Sequence, residues 1–175
     1  NLMKYARECM VQALIRLLGE KPLSAISITE LTAAAGVSRM TYYRNYQSLD
    51  DILRSHLTDI FADYRRDVEA WIDKGNYNDY KNMLHCYEYF RMHADFIRCL
   101  LQCNMGTLLL ESLTQYIIDT YYKEEKGIVF YYTLQAFAGS LYNIYIAWIR
   151  SDSRESAQKM ASIICGLYPR TPSLP

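Results

Sequence analysis

The sequence predicts an all-α fold, and three observations predict it. Only 4 prolines and 7 glycines punctuate 175 residues. The stretches between them are rich in Leu, Ile, Ala, Met, Tyr and charged residues, a helical composition. Apolar side chains recur at three- and four-residue spacing, without the alternation of strands. Hydrophobic residues make up 51% of the chain, which argues against disorder. The length suffices for one or two compact domains without disulfide or metal staples.

Met10, Ala13, Leu14, Leu17 and Leu18 form the apolar face of a first helix, ended by Gly19-Glu20-Lys21-Pro22. Ser27-Ile28-Thr29-Glu30 has the S-x-x-E form of a capping box, so a second helix starts there and runs through three alanines to Gly36. Gly36-Val37-Ser38 reads as a tight turn, because glycine tolerates a left-handed backbone and Ser38 can cap the next helix. That third helix spans about Arg39 to Tyr46. Ser48 caps a fourth, with Asp50 and Asp51 complementing its dipole and an apolar stripe from Leu49 to Trp71. Asp73-Lys74-Gly75-Asn76 is the clearest mid-chain turn. Beyond it, helices are expected at 77–92, 94–103, 107–123, 125–150 and 153–168, the last started by Ser153 and Glu155 and succeeded by a loose tail from Pro169 to Pro175.

Lys plus Arg equals Asp plus Glu, so net charge says nothing of nucleic acid. Residues 1–47 nevertheless carry six cations against three glutamates, and the remainder is correspondingly acidic. Five cysteines, an odd number, and no signal-like leader fit a reduced, cytoplasmic compartment. No apolar run approaches the roughly 20 residues of a membrane span, so a membrane partner is not expected.

Two short helices joined by a glycine-containing turn are the physical signature of a helix-turn-helix, whose second helix fits the major groove of DNA. The run Ser27-Ile28-Thr29-Glu30-Leu31-Thr32-Ala33-Ala34-Ala35-Gly36-Val37-Ser38-Arg39-Met40-Thr41-Tyr42-Tyr43-Arg44-Asn45-Tyr46 resembles the DNA-binding motif of the TetR/AcrR family of transcription regulators. In that pattern a capped helix leads to A-G-V-S and then to a T-[FYL]-Y-x-x-[FY] recognition helix. Ser48-Leu49-Asp50-Asp51-Ile52-Leu53 also resembles the start of that family's fourth helix. The resemblance implies that Arg39, Met40, Thr41, Tyr43, Arg44 and Asn45 face the groove or its phosphate walls. Ser27, Thr29 and Ser38 would join them as DNA-binding positions. Leu31, Ala34, Val37, Tyr42 and Tyr46 would pack the three-helix core. The chemistry agrees, because Arg39 can bond the O6 and N7 edge of guanine while Thr41 and Tyr43 offer hydroxyls to phosphate. One departure is Leu49, where the family commonly has lysine, so one phosphate contact is missing. The plainer reading is a helical hairpin inside a bundle, although such a hairpin would not expose Arg39, Thr41, Arg44 and Asn45 together.

The rest of the chain resembles the family less specifically. Ala138 to Ile149, with a polar turn and an amphipathic helix after it, looks like the two helices that pair subunits. Ala136, Gly139, Ser140, Asn143 and Ala147 form a small-residue strip for a homodimer interface, or alternatively for an intramolecular helix contact. Of 17 tyrosines, 12 lie beyond residue 76. Tyr89, Tyr116, Tyr131, Tyr142 and Tyr145 are candidates to line a pocket for a small-molecule effector, aromatic or amphipathic, with a flat or cationic molecule suited to stacking. Ordinary core packing is the simpler role for any single tyrosine.

Cys99 and Cys103 share a helix face, with His85, Cys86 and His93 on the preceding segment, but the spacing is weak for a metal site and no metal or other cofactor is expected. No phosphate loop, nucleophile elbow or acid–base set appears, so no enzyme is expected. The expectation is thus a helix-turn-helix domain at residues 1–47, a helical dimerisation and effector domain at 48–175, and helix 48–72 connecting them. The function expected is ligand-responsive repression from a pseudo-palindromic double-stranded DNA site. An activator or adaptor whose C-terminal domain binds a protein is the alternative.

Overall fold

A computed structural model describes residues 2–168 and is all-helical over them, as the sequence predicts. Its helices are α1 (Leu2–Leu18), α2 (Ile28–Ala35), α3 (Arg39–Asn45), α4 (Leu49–Glu69), α5 (Tyr80–Met92), α6 (Ala94–Gln102), α7 (Gly106–Tyr121), α8 (Gly127–Arg150) and α9 (Ala157–Leu167). Single 3-10 turns at Leu23–Ala25 and Glu124–Lys126 were not legible as separate elements. The tail expected to be loose, Pro169 to Pro175, lies outside the described residues.

Packing divides the chain into two compact units. One comprises residues up to Ile60 together with Asp95–Leu108; the other comprises Phe61–Ala94 and the chain from Leu109 onward. The first unit thus takes in the first half of α4 and nearly all of α6 as well as α1 to α3.

The first unit has a core of Met10, Leu14 and Leu18 from α1, Leu31 from α2, Tyr42 from α3, Ile52 and Leu53 from α4, and Ile97 and Leu100 from α6, each at most 1% exposed. Burying side chains of this size is worth about 1.5–3 kcal/mol each. Gln102 closes the end of α1 by donating to the Leu18 carbonyl at 2.9 Å.

The second unit is unusually aromatic. Tyr64 sits amid Tyr89, Phe90 and Tyr116 at centroid distances of 5.1, 5.4 and 5.0 Å. Tyr77 meets Phe137 at 4.8 Å. Some of its polar ring ends are paired and others are not: Tyr145 Oη donates to the Phe90 carbonyl at 2.8 Å and Trp148 Nε1 to the Glu155 carbonyl at 2.9 Å, whereas Tyr87 Oη is buried without a partner.

Two helix starts differ most from expectation. Helix α5 begins at Tyr80 rather than 77, because Asp79 folds back to accept the Asn76 amide at 2.8 Å and holds residues 76–79 in a turn. Helix α9 begins after Ser156, not at Ser153. Asp152 and Ser153 are both left-handed, at φ 57° and 52°, and the Ser153 amide closes the end of α8 on the Trp148 carbonyl at 3.0 Å. Ser156 Oγ then accepts the Lys159 amide at 3.1 Å, as an N-cap should.

Candidate functional site

The helix-turn-helix is assembled by its caps. Ser27 Oγ accepts the Glu30 amide at 3.1 Å and starts α2. The Glu30 carboxylate is held chiefly by Lys21 Nζ at 2.5 Å, which lowers its pKa, with the Ser27 backbone a lesser influence. Gly36 ends α2 at φ 67°, ψ 30°, the left-handed conformation its turn requires. Two residues later Ser38 Oγ accepts the Thr41 amide at 3.0 Å and lies 2.9 Å from Thr41 Oγ1.

Helix α3 then presents two different faces. Inward, Tyr42 and Tyr46 are 0% and 5% exposed. Tyr42 Oη is buried without a hydrogen-bond partner, and burial raises its pKa. Such an orphan costs about 1–3 kcal/mol, which the burial of the ring offsets. Tyr46 Oη instead accepts from Arg7 Nε at 3.3 Å, while Arg7 Nη2 donates to Ser55 Oγ at 2.5 Å and Asp59 Oδ2 at 2.8 Å. This network ties the end of α3 to α1 and α4.

Outward, Arg39, Met40, Tyr43 and Arg44 are exposed along one stripe. Arg39 and Arg44 pair with no acid among the described residues. Arg7 and Lys21, by contrast, are held in ion pairs, and Arg16 donates to the Ala34 carbonyl at 3.2 Å. The N-terminal excess of cations is therefore narrowed by folding to a few free groups, two of them on α3. Ser27, Thr29 and Ser38 are also exposed. Thr41 and Asn45 are half-buried and already engaged, since Asn45 Nδ2 donates to the Thr41 carbonyl at 2.7 Å. Among the residues expected in the core, Leu31, Tyr42 and Tyr46 are buried and Val37 is half-buried, but Ala34 is exposed. The inward face of α2 runs through Leu31 and Thr32, and Ala34 lies well round the helix from both.

Among the described residues, small cavities lie inside the second unit, two of them beside the expected tyrosines. The first is lined by Tyr87, Phe90, Leu109, Tyr142 and Tyr145, the second by Tyr64, Tyr77, Asn82, Tyr116, Tyr121 and Phe137; Cys86, Leu113 and Leu141 border both. Each offers about 20 Å³ to a water-sized guest. Of the tyrosines expected at a pocket, Tyr116, Tyr142 and Tyr145 line these spaces. Tyr89 does not: its ring lies against Tyr64, Phe90 and His93. Tyr131 packs against Tyr122 and Tyr132, and its hydroxyl accepts from Gln135 Nε2 at 3.0 Å.

The strip on α8 is largely open. Ala136, Asn143 and Ala147 are exposed, Gly139 and Ser140 half-buried, and a Cβ added at Gly139 would meet nothing within 4 Å. Ser140 Oγ shares a 2.5 Å hydrogen bond with Tyr168 Oη. Exposed Val129 and Tyr132 continue the strip toward the helix start, and α9 exposes Ile163 and Leu167.

Burial pushes the Cys86 thiol up to about 12 and Cys99 up to about 11, so both stay protonated and unreactive near neutrality. All five cysteines are free, and among the described residues no group of three His, Cys, Asp or Glu side chains comes together as a metal site. No helix among the described residues is long and apolar enough to cross a membrane.

No protein-family model and no curated protein matches the sequence. The fold, however, has solved counterparts. The chain is similar to the dihydroxyacetone kinase operon activator DhaS, with TM-score 0.68, 17% identity and 93% of each chain covered. It is also similar to the fatty acid degradation regulator FadR from Bacillus halodurans, with TM-score 0.60, 12% identity and 93% of each chain covered. At such identities the likeness is one of fold, a helical fold that both regulators use.

Several residues that shape these sites escape sequence reasoning. Arg7 reaches Tyr46, at the end of α3, from 39 residues away in sequence, and Ser55 and Asp59 hold Arg7 in place. Asn82, 4% exposed, reaches the Lys74 and Asn76 carbonyls at 2.8 and 2.6 Å and borders the second cavity. A polar residue four positions after Asn78 on an otherwise apolar face was the available signal.

Proposed function

We propose that this chain is a sequence-specific transcription regulator of the TetR/AcrR type, which binds pseudo-palindromic double-stranded DNA as a homodimer and represses until an effector binds. The observation that carries the reading is α3 itself. A capped seven-residue helix locked by Tyr42 and Tyr46 displays two unpaired arginines, a methionine and a tyrosine on its open face. A monomer with no DNA to bind gains nothing from leaving Arg39 and Arg44 unpaired beside exposed Met40 and Tyr43. Against a major groove, the arginines can read guanine, Met40 can meet a thymine methyl, and Tyr43 can bond phosphate.

Dimerisation rests on the open α8 strip with the exposed apolar positions of α9, which would pair across a two-fold axis as four helices. The effector requirement is thermodynamic: a ligand shifts DNA affinity only if it binds the DNA-competent and incompetent states unequally. The sign of regulation depends on where the operator lies, and one fold counterpart is named an activator. A protein-binding adaptor is the second reading, favoured by the small size of the two cavities.

In vitro selection of bound DNA tests the proposal, with the selected site expected to be a pseudo-palindrome. On that site, Arg39→Ala should relax preference at one base pair per half-site, whereas Tyr43→Phe should weaken all sites alike through loss of a phosphate contact. Selection that enriches no sequence, or unchanged preference after Arg39→Ala, would remove α3 from base readout.

A further inference from the structure

The walls of the two cavities differ in chemistry. No polar atom surfaces in the first: the Tyr145 hydroxyl beside it is committed to the Phe90 carbonyl at 2.8 Å, and the Tyr87 hydroxyl is buried away from it without a partner. The second meets neutral polar groups: Asn82 Nδ2 lies 3.0 Å from Tyr121 Oη, and Tyr116 stands on the same wall. Only Cys86, Leu113 and Leu141 border both spaces, so these side chains are the partition between them.

Charge is missing from both walls. Among the described residues, no Lys, Arg, His, Asp or Glu lines either cavity. A carboxylate or ammonium placed there would be desolvated without a counter-charge, and leaving an ion buried and unpaired is heavily penalised. An uncharged oxygen has a ready place. Asn82 Nδ2 reaches three acceptors, at 2.8, 2.6 and 3.0 Å, yet an amide nitrogen has two hydrogens. Two hydrogens satisfy the Lys74 and Asn76 carbonyls, so the Tyr121 hydroxyl can turn to a guest without stranding the amide.

We propose that the two cavities form one site for a neutral amphiphile, its hydrocarbon end against Phe90 and Leu109 and its uncharged oxygen at Tyr121 and Tyr116. The assignment rests on reading the second unit as an effector domain and names the class of effector. Each cavity alone holds little more than water, so binding requires Leu113 and Leu141 to turn aside and join the two spaces.

Calorimetry on the full chain with octanol, octanoate and octylammonium as probes tests the site. Octanol should bind and raise the melting midpoint, with both ions at least about tenfold weaker. Octylammonium as strong as octanol would mean that the aromatic faces hold a cation instead, and octanoate as strong as octanol would mean an unseen counter-charge; either overturns the proposal. Tyr121→Phe should weaken octanol about two- to tenfold, the loss of one hydrogen bond, and an unchanged affinity would overturn the assigned orientation. Leu141→Trp, filling the partition, should abolish binding. Should that variant fail to fold, Leu113→Ala decides instead: it joins the cavities and should tighten octanol binding, and weaker binding would count against a shared site. Operator binding by the probe-free chain, measured in parallel, separates the two readings. DNA binding without any probe binding overturns the amphiphile site alone, and probe binding without DNA binding overturns the regulator alone.

Discussion

His85 shows how burial outweighs a nearby charge at the scale of one residue. Its ring stacks on Tyr64 at 5.0 Å and meets the edge of Trp71 at 5.0 Å, and Nε2 has no hydrogen-bond partner. Asp67 stands 3.9 Å away, but it is 54% exposed and so screened by water. Burial therefore lowers the imidazole pKa, over the opposing pull of Asp67 and Glu88 and with a small push from Lys81. The unfolded chain, titrating near 6.5, takes up the proton first. This contribution to stability is full above about pH 6.5 and declines as pH falls below it. His85→Phe keeps the stacking and removes the titration. Melting midpoints at pH 7.5 and 5.5 should differ less in the variant than in the parent, and an equal drop in both would assign the pH dependence elsewhere. Tyr42 makes a similar point, because its position in the core was legible from helical spacing whereas its unpartnered hydroxyl was not.

At the scale of elements, α2, the turn and α3 were the most legible part of the chain, since their punctuation is local chemistry. Ser27, Gly36, Ser38 and Ser48 each act within three residues of where they stand, Ser48 Oγ accepting the Asp51 amide at 3.2 Å. Gly36 permits a clean test, because a Cβ added there would meet nothing within 4 Å while the backbone sits at φ 67°. Gly36→Ala should thus cost only the left-handed backbone term, about 1–2 kcal/mol, and Gly36→Asn should recover part of it. Denaturant unfolding of both variants checks the ordering; an alanine variant as stable as the parent would mean that the turn relaxes. The starts of α5 and α9 were less legible. The expected start of α5 at 77 falls in a turn that Asp79 holds by accepting the Asn76 amide, and Ser153, expected to start the last helix, closes the preceding one.

At the scale of the molecule, the proposed dimer makes the strongest demand on the α8 strip. Two recognition helices related by a two-fold axis must lie about one DNA turn, roughly 34–36 Å, or a multiple of it apart. Gly139 faces open space in the single chain, so a larger side chain is tolerated there unless a second chain packs against it. Gly139→Leu should yield a folded monomer that no longer binds an operator specifically. Sedimentation velocity with circular dichroism checks both halves, and an unaltered dimer would place the interface on another surface.

The sequence by itself determined the helical class, the two short helices with their turn, and the exposure of Arg39, Met40, Tyr43 and Arg44, because capping, turn chemistry and helical period act over a few positions and need no knowledge of the rest of the chain. Tertiary structure decided what depends on distant partners. Arg7 braces Tyr46 from 39 residues away, and Ala34 is turned outward where Thr32 was not expected inward. Tyr116 borders a cavity while Tyr89 is used up among other rings. Composition makes these tyrosines equivalent, and only the packing of α4, α5, α7 and α8 settles which rings fill space and which border it, since packing is a property of many side chains at once.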